Sequence, residues 1–246
     1  MDRRRARLRL TTRRAAALAA GLALLPGTAF AQAYQCRIPQ ALVSVPAIAR
    51  DGPVRQGPIA GYTLALSWSP EYCRGRQASA ADRRQCSGRS GRFGFVVHGL
   101  WPEGRGASWP QWCPARQPLT SSELARNLCM TPSSQLLAHE WSKHGACMTS
   151  RPESYFRTVR ALWSGLRWPD FDRLSRQDGL TAGQVREAFA QANRLWEPEH
   201  IGLVLNARGW LEEIRLCYGT DFKPAACGAR RRGPADSAPV KIWRGL

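Results

Sequence analysis

Eight cysteines, all placed after an export-type leader, constrain this chain more than any other feature. They stand at Cys36, Cys73, Cys86, Cys113, Cys129, Cys147, Cys217 and Cys227. An even count behind a leader points to an oxidising compartment and a fold stapled by four disulfides. No Cys-x-x-Cys occurs, which argues against a zinc ribbon or a thioredoxin-like redox site. Eight cysteines allow roughly a hundred pairings, and sequence alone leaves all of them open.

The leader occupies residues 1–31. Arg3, Arg4, Arg5, Arg7, Arg9, Arg13 and Arg14 form a basic region, Ala15 to Leu25 an apolar run, and Ala29-Phe30-Ala31 a small-x-small cleavage site. The run is too short to span a bilayer, so a signal peptide is expected and a membrane anchor is not. Arg13-Arg14 after two threonines also fits a twin-arginine signal. The expected location is the periplasm or the cell exterior. The whole chain carries +18, and losing the leader's seven Arg and one Asp leaves +12. That field draws polyanions, with nucleic acid and anionic membrane surface as the natural partners.

Residues 32–246 read as a single domain, with no repeat and no second core behind a linker. Residues 32–60, rich in Pro, Gly and Ala, predict an irregular N-terminal arm. Strands are predicted over Tyr62 to Trp68 and over Phe93 to Val97, the second presenting His98 at its end and broken by Pro102, Gly104 and Gly106. Arg74 to Arg92 reads as a polar surface loop. Helices are predicted over Thr120 to Asn127, Ser133 to His144, Glu153 to Leu166 and Thr181 to Leu195. Ile201 to Leu205 and Trp210 to Tyr218 read as a hairpin, Arg230 to Asp236 as a basic loop, and Ala238 to Trp243 as a last strand. This order predicts an α+β fold with a mainly antiparallel central sheet and helices packed against it.

Three of the four histidines fall in two dense segments, Phe95-Val96-Val97-His98-Gly99-Leu100-Trp101-Pro102-Glu103 and His139-Glu140-Trp141-Ser142-Lys143-His144-Gly145-Ala146-Cys147. A histidine at a strand end is rigidly held, and a following glycine lets a substrate approach. On an ideal helix His139, Lys143, Glu140 and His144 fall within about 140° of one another, a face suited to holding an anion and moving protons. Glu140 and His144, four apart, are placed to meet, and a carboxylate there raises a histidine's pKa. Zinc competes for such a pattern. However, a five-residue spacing splays His139 from His144, and Lys143 opposes a dication. His200 reads as structural.

These two segments resemble the signature motifs of the ribonuclease T2 family. The match is full over His98-Gly99-Leu100-Trp101-Pro102, and over the second segment it departs at Ala146, where threonine is usual. Leu66 to Cys73 and Leu211 to Cys227 echo further family segments, so the resemblance runs with gaps from about Gly61 to Trp243. It implies a metal-independent, cofactor-free endoribonuclease acting on single-stranded RNA. Cleavage gives a 2′,3′-cyclic phosphate, then a 3′-phosphate. His144 and His98 would act as base and acid, Glu140 and Lys143 would stabilise the phosphorane, and His139 would hold the phosphate. Trp101, Glu103 and Trp109 would bind the base, Glu103 standing where an aspartate is usual. The family pattern suggests Cys129–Cys147 and Cys217–Cys227. Cys73–Cys86 would close the polar loop, and Cys36–Cys113 remains. RNA is the expected partner, with no obligatory protein partner, and a monomer is expected.

Overall fold

The computed structural model describes residues 36–38, 43–106 and 108–245, so the expected leader and cleavage site lie outside the described residues. Four strands form an antiparallel sheet in the order β2-β1-β4-β3, namely β1 (Gly61–Trp68), β2 (Phe95–Glu103), β3 (Ile201–Leu205) and β4 (Leu211–Tyr218). The expected α+β fold is what forms. The helices are α1 (Ser69–Tyr72), α2 (Arg83–Cys86), α3 (Ser121–Asn127), α4 (Ser134–Glu140), α5 (Ala146–Met148), α6 (Pro152–Ser164), α7 (Phe171–Leu174), α8 (Ala182–Ala192) and α9 (Ala229–Arg232). A π turn, Trp141–Gly145, joins α4 to α5. Among the described residues no helix is long and apolar enough to cross a membrane.

The helix starts follow local chemistry. Thr120, Ser133 and Thr181 each accept a backbone N–H of the first turn, and Thr181 forms a full capping box with Gln184. Leu64, Leu66 and Trp68 of β1 share a sheet face with Phe95, Val97 and Leu100 of β2 and Ile214 and Leu216 of β4. That face packs with Leu124, Leu137, Trp141, Tyr155, Phe156, Val185 and Phe189 from the helices into one core. Burial of this apolar surface is the main favourable term in folding. A fully buried guanidinium, Arg186 of α8, bonds the carbonyls of Ile201, Arg232 and Pro234 and the carboxylate of Asp236. It pins the basic segment after β4, where α9 replaces part of the expected loop.

Other local readings change. The strand carrying His98 does not end there. It runs through Pro102 to Glu103, because β2 is an edge strand and proline costs no ladder bond on an open edge. Ala238 to Trp243 is not a strand and makes only the isolated bridges Thr181–Pro239 and Trp210–Lys241. The loop after β1 carries α2.

All eight cysteines pair, as Cys36–Cys129, Cys73–Cys86, Cys113–Cys147 and Cys217–Cys227. Cys73–Cys86 and Cys217–Cys227 are the expected bonds. Cys129–Cys147 and Cys36–Cys113 are not formed. The segment carrying Cys113 lies along the π turn, with the Trp112 N–H bonded to the Lys143 carbonyl, and this sets Cys113 beside Cys147 at 5.0 Å between Cα atoms. Cys129 then meets Cys36 of the arm. Non-reducing peptide mapping is expected to recover Cys113–Cys147 and Cys36–Cys129. Replacing Cys113 and Cys147 together by serine should cost about 2–4 kcal/mol in denaturant titration. A Cys129–Cys147 peptide would contradict this arrangement.

Candidate active site

The site begins with an irregularity in β2. Ala65 pairs with Gly99 but Leu66 pairs with Val97, so His98 is the extra, unpaired residue of a β-bulge. A bulge shifts the inside–outside alternation by one residue. Leu100 therefore points into the core, while Gly99, Trp101 and Glu103 share the opposite face with Thr63, Ala65 and Ser67 of β1 and Glu213, Arg215 and Cys217 of β4. Without the shift, Leu100 would turn to the site, and Trp101 and Glu103 to the core. The outer edge of β2 is held on both sides of the bulge. Val97 bonds Met130 and Thr131, and the Tyr155 hydroxyl bonds both backbone groups of Leu100.

The second motif does not continue as an ideal helix. Glu140 ends α4, and the π turn carries Lys143 and His144. Such turns put one more residue into each turn and recur at functional sites. Gly145 is required here by packing. A Cβ at this position would lie 2.6 Å from the Trp141 ring and 2.8 Å from Tyr155. Gly99 is likewise required, less for substrate approach than for its neighbours, since a Cβ would fall 1.9 Å from a Glu140 carboxylate oxygen.

His98, Trp101, Glu103, Trp109, His139, Glu140, Lys143 and His144 all line one cleft of about 610 Å³. Every residue singled out in the sequence as acid/base, phosphate or base ligand is thus brought together. The His98 Nδ1 lies 2.5 Å from Glu213 Oε1, and its Nε2 lies 3.8 Å from Glu140 Oε1. The Trp101 indole N–H donates to Glu140 Oε2 at 2.7 Å. Trp101 sits between the histidines, with ring centroids 5.2 Å from His98 and 5.8 Å from His144. At the far end the Thr63 hydroxyl donates to Glu103, Arg231 stands 3.6 Å from the same carboxylate, and Arg55 covers Trp109. His200 lies outside this cleft, and its ring accepts the Glu197 N–H.

Electrostatics divide the two histidines. Burial pushes His98 down, but the hydrogen bond to Glu213 and the charges of Glu140 and Glu213 outweigh it, leaving its pKa raised. Burial also lowers His144, and the cations Lys143, His139 and His98 add to it, to about 3. Its buried Nδ1 has no hydrogen-bond partner among the described residues. Glu140 was expected to meet His144. It faces His98 instead, because the π turn rotates His144 away, and burial raises Glu140 to about 7.

Two carboxylates escaped the sequence reading. Glu213 stands on β4 and is 8% exposed. Two opposite charges two apart, Glu213 and Arg215, were a visible signal of a shared strand face. Asp51, in the irregular arm, accepts from Lys143 Nζ at 2.7 Å and from the Trp112 indole, and lies 3.7 Å from His139. No local pattern marks it.

Fold and site together define a disulfide-bonded α+β protein whose cleft gathers His98, His139, His144, Glu140 and Lys143. The sequence profile of the ribonuclease T2 family matches residues 60–187, and the chain belongs to that family. A ribonuclease of Aeromonas hydrophila is 43% identical over 169 residues, covering 65% of this chain and 73% of the relative. A probable ribonuclease of Haemophilus influenzae is 32% identical over 188 residues, covering 71% of this chain and 63% of the relative's length. The solved structure of trichomaglin, an S-like ribonuclease, superposes with a TM-score of 0.60 at 19% identity, covering 76% of this chain and 98% of that one.

Stability should report the divided histidines. His144 stays neutral to about pH 3 in the fold but protonates near its ordinary 6.5 when unfolded. Between those values the unfolded chain binds more protons, so this residue's contribution falls as the pH drops from 6.5 to 3. Glu140 works in the other direction. It holds its proton to about 7 in the fold but ionises near 4.5 unfolded, so its contribution falls as the pH rises through that window. Urea titrations across this range should show a weaker acid-side loss in His144→Gln than in wild type, by up to a few kcal/mol. Identical pH slopes would contradict a neutral His144.

Proposed function

We propose that this protein is an endoribonuclease that cleaves single-stranded RNA by transphosphorylation, without a metal ion. The observation that carries this reading is the opposite pull on two histidines across one cleft. His98 is biased to hold a proton and His144 to lack one. Environments that push paired titratable groups apart assign the acid and the base. RNA brings its own nucleophile, so the protein has only to move protons and stabilise charge.

His144 takes the proton of the ribose 2′-OH through Nε2, the ring nitrogen left for the cleft. The 2′-oxygen bonds to phosphorus, the bond to the 5′-oxygen breaks, and His98 Nε2 protonates that departing oxygen. A 2′,3′-cyclic phosphate results. Water then opens it by the reverse proton transfers to a 3′-phosphate. Lys143 and His139 receive the phosphate, and its negative charge offsets the cations that hold His144 down, lifting its basicity as substrate docks. Glu140 faces the developing phosphorane beside His98. Trp101 and Trp109 offer faces for base stacking, with Glu103 at the edge. Zinc is disfavoured at this site by Lys143 between the histidines. The disulfides suit an exported protein, and the +12 charge beyond the leader suits RNA.

One oligonucleotide tests the chemistry. A single 2′-deoxynucleotide placed 5′ to one phosphate should block that bond alone, and EDTA should leave the others cleaved at the same rate. Cleavage at the deoxy position, or its loss with EDTA, would overturn the mechanism. His98→Ala and His144→Ala should each lower kcat by about 10²–10⁴-fold in steady-state kinetics on a dinucleotide. Near wild-type turnover in either variant would remove that residue from its role.

Asp51 occupies Lys143 in the free protein, so a substrate phosphate has to compete with it. Asp51→Asn should tighten binding of a 3′-mononucleotide by a few-fold in calorimetry, in keeping with a half-exposed ion pair. Weaker binding would mean that Asp51 holds Lys143 in place rather than competing for it.

A further inference from the structure

Glu213 does more than fill a strand position. Its carboxylate lies in the sheet, 8% exposed, at 2.5 Å from His98 Nδ1. It is itself clamped. Arg215 Nε and Nη2 donate to Oε2 at 3.2 and 3.1 Å, and the Ser67 hydroxyl donates to Oε1 at 3.3 Å. The two oxygens are thus divided, one for the arginine and one for the histidine and serine. Burial alone would raise this carboxyl, but His98 and Arg215 outweigh it and hold it below the usual range, so it is ionised and can only accept. Nδ1 must then carry a proton in either charge state of His98, and Nε2, which gains its proton only in the charged form, is the nitrogen turned to the cleft.

We infer that Glu213 is the positioning residue of the proposed acid, fixing the ring and tautomer of His98 and keeping its Nε2 protonated for the leaving oxygen. The inference rests on the proposed cleavage reaction for its catalytic consequence, but not for the pairing itself. The bulge explains the need. A residue released from strand pairing gains a free aim and loses the ladder's support, and a fixed carboxylate restores its orientation. The charged groups near His98 come from β4 and from the segment that runs from α4 into the π turn. Glu213 and Arg215 come from β4 and Glu140 from α4, with Lys143 and His144 on the π turn and His139 one residue before Glu140. Ser67 from β1 and Trp101 from β2 are neutral. Arg215 also lies over the Trp101 ring at 5.4 Å, so the clamp on Glu213 touches the aromatic platform as well.

The test separates pairing from catalysis. Histidine-labelled protein is titrated by NMR without substrate, and kcat is measured across pH on a dinucleotide. In Glu213→Gln the His98 pKa should fall by about one unit or more, and the Nδ1–H form should lose its preference. The alkaline limb of the kcat profile should move to lower pH by the same amount, and kcat should fall at least about tenfold with little change in KM. Glu213→Asp should recover part of the His98 shift. Arg215→Met, which removes a cation while leaving the carboxylate, should move the His98 pKa the opposite way. Should Glu213→Gln fail to melt cooperatively, the Arg215→Met shift decides. A folded Glu213→Gln with unchanged His98 pKa and tautomer would overturn the inference, as would an Arg215→Met shift in the same direction as Glu213→Gln. If the NMR shifts appear while His98→Ala still cleaves normally, the pairing stands and the assignment of His98 as acid fails.

Discussion

The unpaired residue in β2 is the constraint on which the site depends. A regular strand through Phe95 to Glu103 would place His98 and Leu100 on one face and Gly99, Trp101 and Glu103 on the other. One inserted residue puts His98, Gly99, Trp101 and Glu103 together and returns Leu100 to the core. The bulge survives because its surroundings leave little backbone unsatisfied. Met130 and Thr131 bond Val97, and Tyr155 bonds Leu100, so the open edge of the sheet is closed on both sides of His98.

Around that point runs a closed chain of polar contacts: His98 to Glu213, Glu213 to Arg215, Arg215 over Trp101, Trp101 to Glu140, and Glu140 back towards His98. The two carboxylates are buried and the other three groups partly so, and away from water charge interactions are stronger and unpaired groups cost more. The chain gives His98 two carboxylates and gives His144 none. That difference, together with the burial of His144 beside Lys143, separates a histidine biased to charge from one biased to neutrality. Gly99 belongs to the same arrangement, because the space a side chain would fill is taken by Glu140 and Trp101.

Cross-links and the arm hold the second half of the site. Cys113–Cys147 ties α5, directly after the π turn, to the loop after β2, and the Trp112 N–H bonds the Lys143 carbonyl of the turn itself. The arm, anchored by Cys36–Cys129, brings Asp51 to Lys143 and His139. Lys143 and His139 are therefore held by groups from outside their own segment. This matters for a π turn, which by itself holds its backbone less firmly than an α-helix.

Much was legible in the sequence because it rests on local pattern. The helices predicted from Thr120, Ser133 and Thr181 start within a residue of α3, α4 and α8, and the strands predicted over Tyr62 to Trp68 and Trp210 to Tyr218 match β1 and β4 to within a residue. The two histidine-bearing motifs named the residues that line the cleft. What local pattern cannot express is the pairing of distant segments. The shift at His98 is a matter of register against β1, and strand propensity carries no register. The π turn sends Glu140 towards His98 rather than His144, against an ideal helical wheel. Glu213 lies 115 residues from the histidine it holds, and Asp51 lies 92 residues from its lysine. Cys113 finds Cys147 only because the chain folds its loop against the π turn. Composition and spacing determined which groups the protein owns. Tertiary packing decided which carboxylate meets which histidine, because that choice is made by geometry and burial acting across the whole chain.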